Sequence, residues 1–268
     1  MEHRVNSGQP FIIDVHAHLG PTPTFYFPDT PLRRILSVMD HLRVEKACCT
    51  HMGFLLGQTD AALREAAQAY RESHGRILNY AAFNPNDPDA SLRLCRECLE
   101  LEGFIGIKIH PAGAAGRADD EAYRPAWALA AEKNVILLSH SWSTSAANPA
   151  QNVSVPELFE KYLREYPGVK FIFGHAGGRY RAHLKTAELV ARHPNAYLDV
   201  SGDSFSLDLI EWLVGAAGAD KVLYASDFTW CEPRSQLGMV LGARIGEEAK
   251  LKILRLNALR LLAEMVTC

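Results

Sequence analysis

The sequence predicts an α/β fold of the (β/α)8 type, a TIM barrel, from three observations. Eight short apolar runs are spread along the 268 residues, as expected for strands buried in a parallel sheet. Amphipathic stretches with a helical period separate these runs. Eight strands, each followed by a helix, within about 250 residues are typical of this barrel. We therefore expect one barrel domain over residues 1–268, with a doubly wound open sheet as the structural alternative.

The predicted strands are short and regularly spaced. They cover residues 11–18, 46–51, 77–83, 104–110, 134–140, 169–175, 196–200 and 222–227. One helix is expected to begin at Pro31 with Thr30 as its N-cap, and a second to begin at Asp60 and run to His74. Further helices are expected near 88–102, 121–133, 155–166, 179–193, 205–217 and 247–264. No linker, repeat or low-complexity tract divides the chain.

Composition and charge exclude several classes of function. The formal net charge is −3 and no block of Lys and Arg is present, so nucleic-acid binding is not expected. No apolar run approaches the length of a membrane span, and residues 1–10 are polar without the pattern of a secretory signal. We therefore expect a cytoplasmic protein that does not bind membranes and acts on a small-molecule substrate.

The first predicted strand ends in a pair of histidines. In Asp14-Val15-His16-Ala17-His18 the alternation of side chains along a strand places Asp14, His16 and His18 on one side. Two imidazoles at a strand end can hold one divalent metal ion. The pair alone fits chance equally well, because the chain contains 11 histidines.

Four further predicted strands end in ionisable or metal-binding residues. These residues are Lys108 and His110 on the fourth strand, His140 on the fifth, His175 on the sixth and Asp227 on the eighth. The carboxyl ends of barrel strands meet on one face, where barrel enzymes place their chemistry. Three imidazoles and a carboxylate suit zinc or a similar divalent ion, which lowers the pKa of bound water to about 7.

This set of motifs resembles the amidohydrolase superfamily. It is most similar to the amidohydrolase-related branch, which includes aminocarboxymuconate semialdehyde decarboxylase and the dicarboxylate lactonases. The similarity spans residues 11 to 262 and lies in Asp14–His18, Gly106–Pro111, His140, Gly174–Gly178, Ser226–Phe228 and the closing segment Asn257–Leu262.

The resemblance implies a site with one metal ion. His16, His18, His140 and Asp227 would be its ligands, with Zn²⁺ favoured and Mn²⁺ or another divalent ion as the alternative. His175 would be a catalytic residue beside the bound water or an additional ligand. Asp227 would also accept a proton from the water. Members of this branch are often dimers, so a homodimer is expected.

The roles of four other residues are open at this stage. Lys108 is expected to be a free ammonium group that binds a substrate carboxylate; alternatively it is carbamylated and bridges a second metal ion, or forms an ion pair with Asp14. Asp14 is expected to orient a ligand histidine from the second shell. His110 either contacts substrate or only terminates its strand. Arg179 either binds a carboxylate or is a solvated helix residue.

Two reactions fit this set of residues. Metal-dependent hydrolysis of an amide, ester or lactone of a small carboxylated molecule is the leading prediction. Non-oxidative decarboxylation of a small carboxylic acid is the alternative. A deoxyribonuclease of the TatD type is disfavoured, because those enzymes have a Glu ligand where this chain has Lys108. A barrel that binds metal without catalysis is also disfavoured, because every expected ligand position is filled.

Overall fold

A sheet of eight parallel strands, in the order β1 to β8, forms the centre of the computed structural model, which describes residues 11–21 and 30–264. The strands are β1 Ile12–Leu19, β2 Val44–His51, β3 Ile77–Phe83, β4 Phe104–Ile109, β5 Ile136–Ser139, β6 Phe171–Phe173, β7 Ala196–Asp199 and β8 Val222–Leu223. Backbone hydrogen bonds connect β1 with the residues that follow β8: the Val15 N–H donates to Tyr224 (3.1 Å) and the Asp227 N–H donates to His16 (2.9 Å). The predicted (β/α)8 barrel is therefore confirmed.

Helices connect the strands on the outside. They are α1 Leu32–Leu42, α2 Met52–Leu55, α3 Thr59–Glu72, α4 Pro88–Leu99, α5 Pro111–Ala114, α6 Arg124–Glu132, α7 Glu160–Glu165, α8 Arg181–Arg192, α9 Leu209–Ala217, α10 Pro233–Gly242, α11 Glu247–Leu251 and α12 Asn257–Ala263. Three of them, α2, α5 and α10, lie outside the helices expected from the sequence. Across the described residues, no helix is long and apolar enough to cross a membrane.

Several strands are shorter than predicted, and two of them, β6 and β8, end a few residues before a predicted site residue. β6 ends at Phe173, and the chain then enters a turn in which His175 has φ 60°. β8 ends at Leu223, and Asp227 has φ 62°. A left-handed backbone cannot continue a strand. It therefore turns both side chains away from the ladder and towards the mouth of the barrel.

The barrel interior is apolar below the site. Mostly apolar side chains from β1, β2, β3, β5, β6 and β8, among them Ile13, Val15, Leu138 and Ile172, form one buried cluster. α12 contributes Ala258 and Leu261 to the same cluster, as expected for a segment that closes the barrel. The polar residues thus lie on a packed floor rather than in an open channel.

Candidate metal centre at the mouth of the barrel

The predicted site residues come together at the carboxyl end of the strands. His16 and His18 lie on β1, Lys108 on β4, and His140, His175 and Asp227 directly follow or lie close after β5, β6 and β8. All six side chains are buried. Such a concentration of buried polar groups is costly unless they bind one another or a shared ligand.

Three of these side chains place ligand atoms close to one another. The candidate ligand atoms of His16, His175 and Asp227 all lie within 4.8 Å of each other. His18 joins them through Nε2, which lies 2.9 Å from Asp227 Oδ1, and His16 Nε2 lies 3.7 Å from the same oxygen. Two histidines of β1 and the carboxylate after β8 therefore face each other across the seam that closes the barrel.

Asp199, at the end of β7, fixes the orientation of His16. The Nδ1–H of His16 donates to Asp199 Oδ2 at 2.9 Å, which leaves the lone pair on Nε2, the nitrogen that faces the site. Burial raises the pKa of Asp199, but the neighbouring His16 imidazole and Ser201 hydroxyl outweigh burial and lower it to about 2. The Asp199 carboxylate therefore stays ionised at neutral pH and acts only as a hydrogen-bond acceptor. This is the kind of outer carboxylate that orients a metal-ligating histidine.

Ser201 extends this network to His175. Its hydroxyl donates to Asp199 Oδ1 at 2.6 Å and so accepts from the Nδ1–H of His175 at 2.9 Å. The backbone N–H of His175 also donates to Asp199, at 2.9 Å. The arrangement leaves the lone pair of His175 on Nε2, which lies 3.1 Å from His140 Nδ1.

Asp199 and Ser201 were not among the site residues predicted from the sequence. Asp199 is the polar residue next to the end of the predicted strand 196–200, much as Asp227 ends the strand 222–227, and that signal was available. Ser201 carries no comparable signal, because its importance comes only from the two groups that it joins.

His140 lies beside the converging atoms rather than among them. Its ring is sandwiched between His110, at 4.2 Å between centroids, and Trp142, at 5.9 Å. Its nitrogens contact His175 and the Gln151 side chain, the latter at 2.8 Å. Ligation by His140 therefore stays a prediction, and it would exchange either the Gln151 contact of Nε2 or the His175 contact of Nδ1 for the metal.

Lys108 is the one cation that the described residues place inside the site. Its Nζ lies 2.6 Å from His16 Nε2, and its side chain is buried. Burial lowers its pKa to about 8, against the opposing effect of the Asp227 and Asp199 carboxylates. The amine thus remains mostly protonated at neutral pH and donates a hydrogen bond to the lone pair on His16 Nε2.

Asp14 does not have the role expected for it. Its carboxylate accepts hydrogen bonds from the Ser226 hydroxyl and from the backbone N–H groups of Ser226 and His16. Burial raises its pKa to about 7. Asp14 lies two residues before His16 on β1. Its hydrogen bonds to Ser226 connect β1 with the segment that follows β8. Asp199 orients the His16 ring instead, and the Lys108–Asp14 ion pair is not formed.

His110 and Arg179 lie at the edge of the site. His110 stacks on His140, and its Nδ1 also accepts the Gly113 N–H at 2.9 Å, so it both lines the mouth and caps α5. Arg179 pairs with Asp203 and lies over the Trp142 ring at 5.7 Å. Binding of a carboxylate by Arg179 would therefore compete with Asp203.

The donor set fits a divalent cation. Imidazole nitrogens with lone pairs set by hydrogen bonds, together with a carboxylate, are ligands of zinc, manganese and similar ions. Burial and mutual proximity lower the pKa of His16, His18 and His175, which keeps the imidazoles neutral as ligands must be. The same donors attract the Lys108 ammonium group, so the site already favours positive charge.

Comparisons with known proteins find decarboxylases among the relatives of this chain. A curated relative, the gamma-resorcylate decarboxylase of Rhizobium sp. (strain MTP-10005), is 24% identical over 233 residues, covering 69% of this chain and 70% of its own length. The solved 2,6-dihydroxybenzoate decarboxylase from Rhizobium superimposes with a TM-score of 0.76 at 18% identity, covering 95% of this chain and 99% of the other.

A second solved structure has the same fold. The 5-carboxyvanillate decarboxylase of Novosphingobium aromaticivorans DSM 12444, complexed with manganese and 4-hydroxy-3-methoxy-5-nitrobenzoic acid, has a TM-score of 0.76 at 15% identity, covering 94% of this chain and 96% of its own. The model of the amidohydrolase family matches residues 13–263, which include every strand of the barrel. With its ligand-bearing strand ends and this match over nearly the whole chain, the protein belongs to the amidohydrolase family.

Proposed function

We propose that this protein is a divalent-metal-dependent, non-oxidative decarboxylase of a small aromatic carboxylic acid. The observation that carries the proposal is the convergence of His16, His18 and Asp227 beside the buried Lys108. Hydrolysis was the leading prediction from the sequence and decarboxylation its alternative. The curated relative and both solved relatives are decarboxylases, which supports the alternative.

The metal would be held by His16, His18, Asp227 and a fourth ligand. We assign His140 to the fourth position, as the sequence predicted, and His175 to proton transfer. A single Nε2 lone pair cannot serve both roles, and His175 has the Ser201–Asp199 network that a proton carrier needs. A bound divalent ion would supply Lewis acidity towards the carboxylate of the substrate.

Decarboxylation involves three changes at the ring carbon of the substrate. Decarboxylation breaks the bond between the ring carbon and the carboxylate, the electron pair stays on that carbon, and the carbon takes up one proton. Lys108 supplies a cation that holds the carboxylate before the bond breaks. A proton on His175 Nε2 can pass to the carbon, while Asp199, through Ser201, stabilises the imidazolium form.

The metal assignment is tested by the metal content of two variants. After loading with Mn²⁺ or Zn²⁺ and desalting, we expect His140→Ala to lose bound metal and His175→Ala to retain it while losing turnover. The reverse pattern would make His175 the ligand. The sequence favoured zinc, whereas the Novosphingobium relative contains manganese, so both ions are tested. A second equivalent of metal would support the carbamylated form of Lys108.

The reaction is tested with 2,6-dihydroxybenzoate and 5-carboxyvanillate in deuterated buffer. We expect CO2 release and one deuterium on the ring carbon that carried the carboxylate. A panel of lactones, esters and amides in H2¹⁸O tests the hydrolase interpretation, in which Asp227 takes the proton of the attacking water. Label from water in an acid product, without CO2 release, would reject the decarboxylase. Sedimentation of the same samples tests the expected homodimer.

A further inference from the structure

A small cavity opens between the loops that follow β2, β3 and β4. Its volume is about 230 Å³. Its lining is mostly apolar or aromatic and includes Met52, Phe54, Ala82 and Trp230, and its polar side chains are His110, Asn84 and Asn86. Within the described part of the chain, none of its lining side chains is Lys, Arg, Asp or Glu. The cavity therefore favours an uncharged, apolar group.

The floor of this cavity adjoins Lys108. Ala82 on β3 is paired with Lys108 in the β3–β4 ladder. Residues paired in this way point to the same side of a sheet, and Lys108 points into the barrel towards His16. Ala82 therefore places its methyl group beside the lysine, at the point where the cavity meets the site.

Two aromatic faces form the remaining boundary with the site. His110 stacks on His140 with centroids 4.2 Å apart and an interplanar angle of 4°. Trp230 stacks on His18 at 4.3 Å and 13°. A flat ring that enters here would contact apolar walls and stacked rings, with its carboxylate directed past Ala82 towards Lys108. The favoured aromatic contacts are offset or edge-on.

A second cavity on the other side of Trp230 has a different character. Its volume is about 640 Å³, and Arg34, His41, Glu232 and Arg234 are among its lining residues. Pockets for drug-sized ligands occupy roughly 300–1,000 Å³. The larger cavity thus suits a bulkier or charged group, whereas the smaller one suits a single ring.

Resting on the proposed function, we propose that the 230 Å³ cavity binds the ring of the substrate. It selects monocyclic aromatic acids whose ring edge opposite the carboxylate is uncharged. A second carboxylate there would lose its water without meeting a cation, which is costly in an apolar cavity. A methyl group at the same position gains by burial.

The first test measures binding and needs no turnover. Calorimetry on the manganese-loaded protein compares 4-methylbenzoate with benzene-1,4-dicarboxylate. We expect the dicarboxylate to bind at least about tenfold more weakly, because its second charge would be buried without a partner. Equal or tighter binding of the dicarboxylate would overturn the inference.

The second test uses matched substitutions. Leu56→Trp adds bulk at the rim of the cavity, where Leu56 is 46% exposed. Leu256→Trp is the control, because Leu256 is 40% exposed and follows Arg255, which contacts Phe11 at the opposite end of the barrel. We expect Leu56→Trp to weaken 4-methylbenzoate binding about tenfold, by loss of ring burial, and the control to leave it unchanged.

Two variants decide between the cavities. Ala82→Leu fills the floor of the small cavity, and Val38→Phe narrows the larger one. We expect only Ala82→Leu to weaken binding; weakening by Val38→Phe alone would place the ring in the larger cavity and overturn the inference. If 4-methylbenzoate binds as expected but no aromatic acid releases CO2, the decarboxylase proposal fails and the assignment of the cavity stands.

Discussion

At the scale of single residues, the site depends on hydrogen bonds that set which nitrogen of each imidazole carries the proton. Asp199 fixes His16 directly and fixes His175 through Ser201. The lone pairs of both rings then lie on Nε2. A site with the same ligands but without this carboxylate would have rings free to rotate and to change tautomer.

Removing the Asp199 charge tests this role. Because an outer partner of a metal ligand contributes to metal affinity, we expect Asp199→Asn to reduce metal affinity or turnover by about 10- to 100-fold. A metal titration with a competing chelator measures the affinity. Asp203→Asn, which removes an exposed carboxylate paired with Arg179, is the control and should retain metal affinity. Unchanged affinity and turnover in Asp199→Asn would contradict the role.

His183 makes stability depend on pH. Its Nδ1–H donates to the Ala176 carbonyl at 3.0 Å, and its buried Nε2 finds no partner among the described residues. Burial therefore lowers its pKa below 6.5, so the unfolded chain binds more protons than the native protein below that pH. Its contribution to stability is complete above about pH 7.5 and is lost as the pH falls below 6.5.

Replacing the imidazole isolates this effect. His183→Asn keeps a donor for the Ala176 carbonyl and does not titrate. Between pH 6.5 and 5.5 we expect the wild type to lose more unfolding free energy than the variant, by at most about 1.4 kcal/mol per pH unit for one proton. Urea denaturation at pH 7.5, 6.5 and 5.5 measures the difference. Parallel pH curves would show that another group is responsible.

At the scale of elements, local backbone conformation decides where the strands stop and where side chains point. His175, Ala176 and Asp227 adopt positive φ directly after β6 and β8. Such conformations cost energy for residues other than glycine and persist where the surrounding structure enforces them. Here the enforced turns deliver a histidine and an aspartate to the mouth of the barrel.

A similar conformation away from the site should be dispensable. Ala115 ends α5 with φ 55° and is exposed. Because glycine adopts this region without a clash of its Cβ, we expect Ala115→Gly to raise stability by about 1 kcal/mol. Ala128→Gly, at an exposed position inside α6, should lower stability by about 1 kcal/mol instead. Thermal and urea unfolding measure both variants, and destabilisation of both would contradict the explanation.

At the scale of the whole molecule, the candidate metal site spans the seam where the first and last strands meet. His16 and His18 belong to β1, and Asp227 follows β8, whose ladder with β7 contains only two paired positions within the described residues. An ion shared by these ligands would therefore join the two ends of the barrel. The closing contact of α12 lies at the opposite end, so the two contacts act independently.

Metal binding should accordingly stabilise the fold. At a free Mn²⁺ concentration 100 times the dissociation constant, we expect about 2.7 kcal/mol of additional stability, because the ion binds only the native state. Chelation should remove this gain. Unfolding curves at increasing Mn²⁺ measure it, and Asp227→Asn should show little dependence on the metal. If the unfolding free energy of the wild type did not change with Mn²⁺ concentration, a metal bridge across the seam would be excluded.

The sequence alone determined the barrel and the residues at its active face. Eight apolar runs with helical stretches between them admit few parallel arrangements, and the polar residues at the strand ends must then meet on one face, because all carboxyl ends point the same way. The sequence therefore predicted that His16, His18, Lys108, His175 and Asp227 lie together, and the structure brings these side chains together at the mouth of the barrel.

Only the tertiary structure decided how these residues act on one another. Asp199 rather than Asp14 orients His16, and His140 lies within an aromatic stack beside the converging donors. These outcomes depend on small differences in the distances between side chains on different strands. They also depend on the turns with positive φ after β6 and β8. A one-dimensional pattern fixes the face on which a side chain lies, but the partner of each nitrogen is set by packing across the whole barrel.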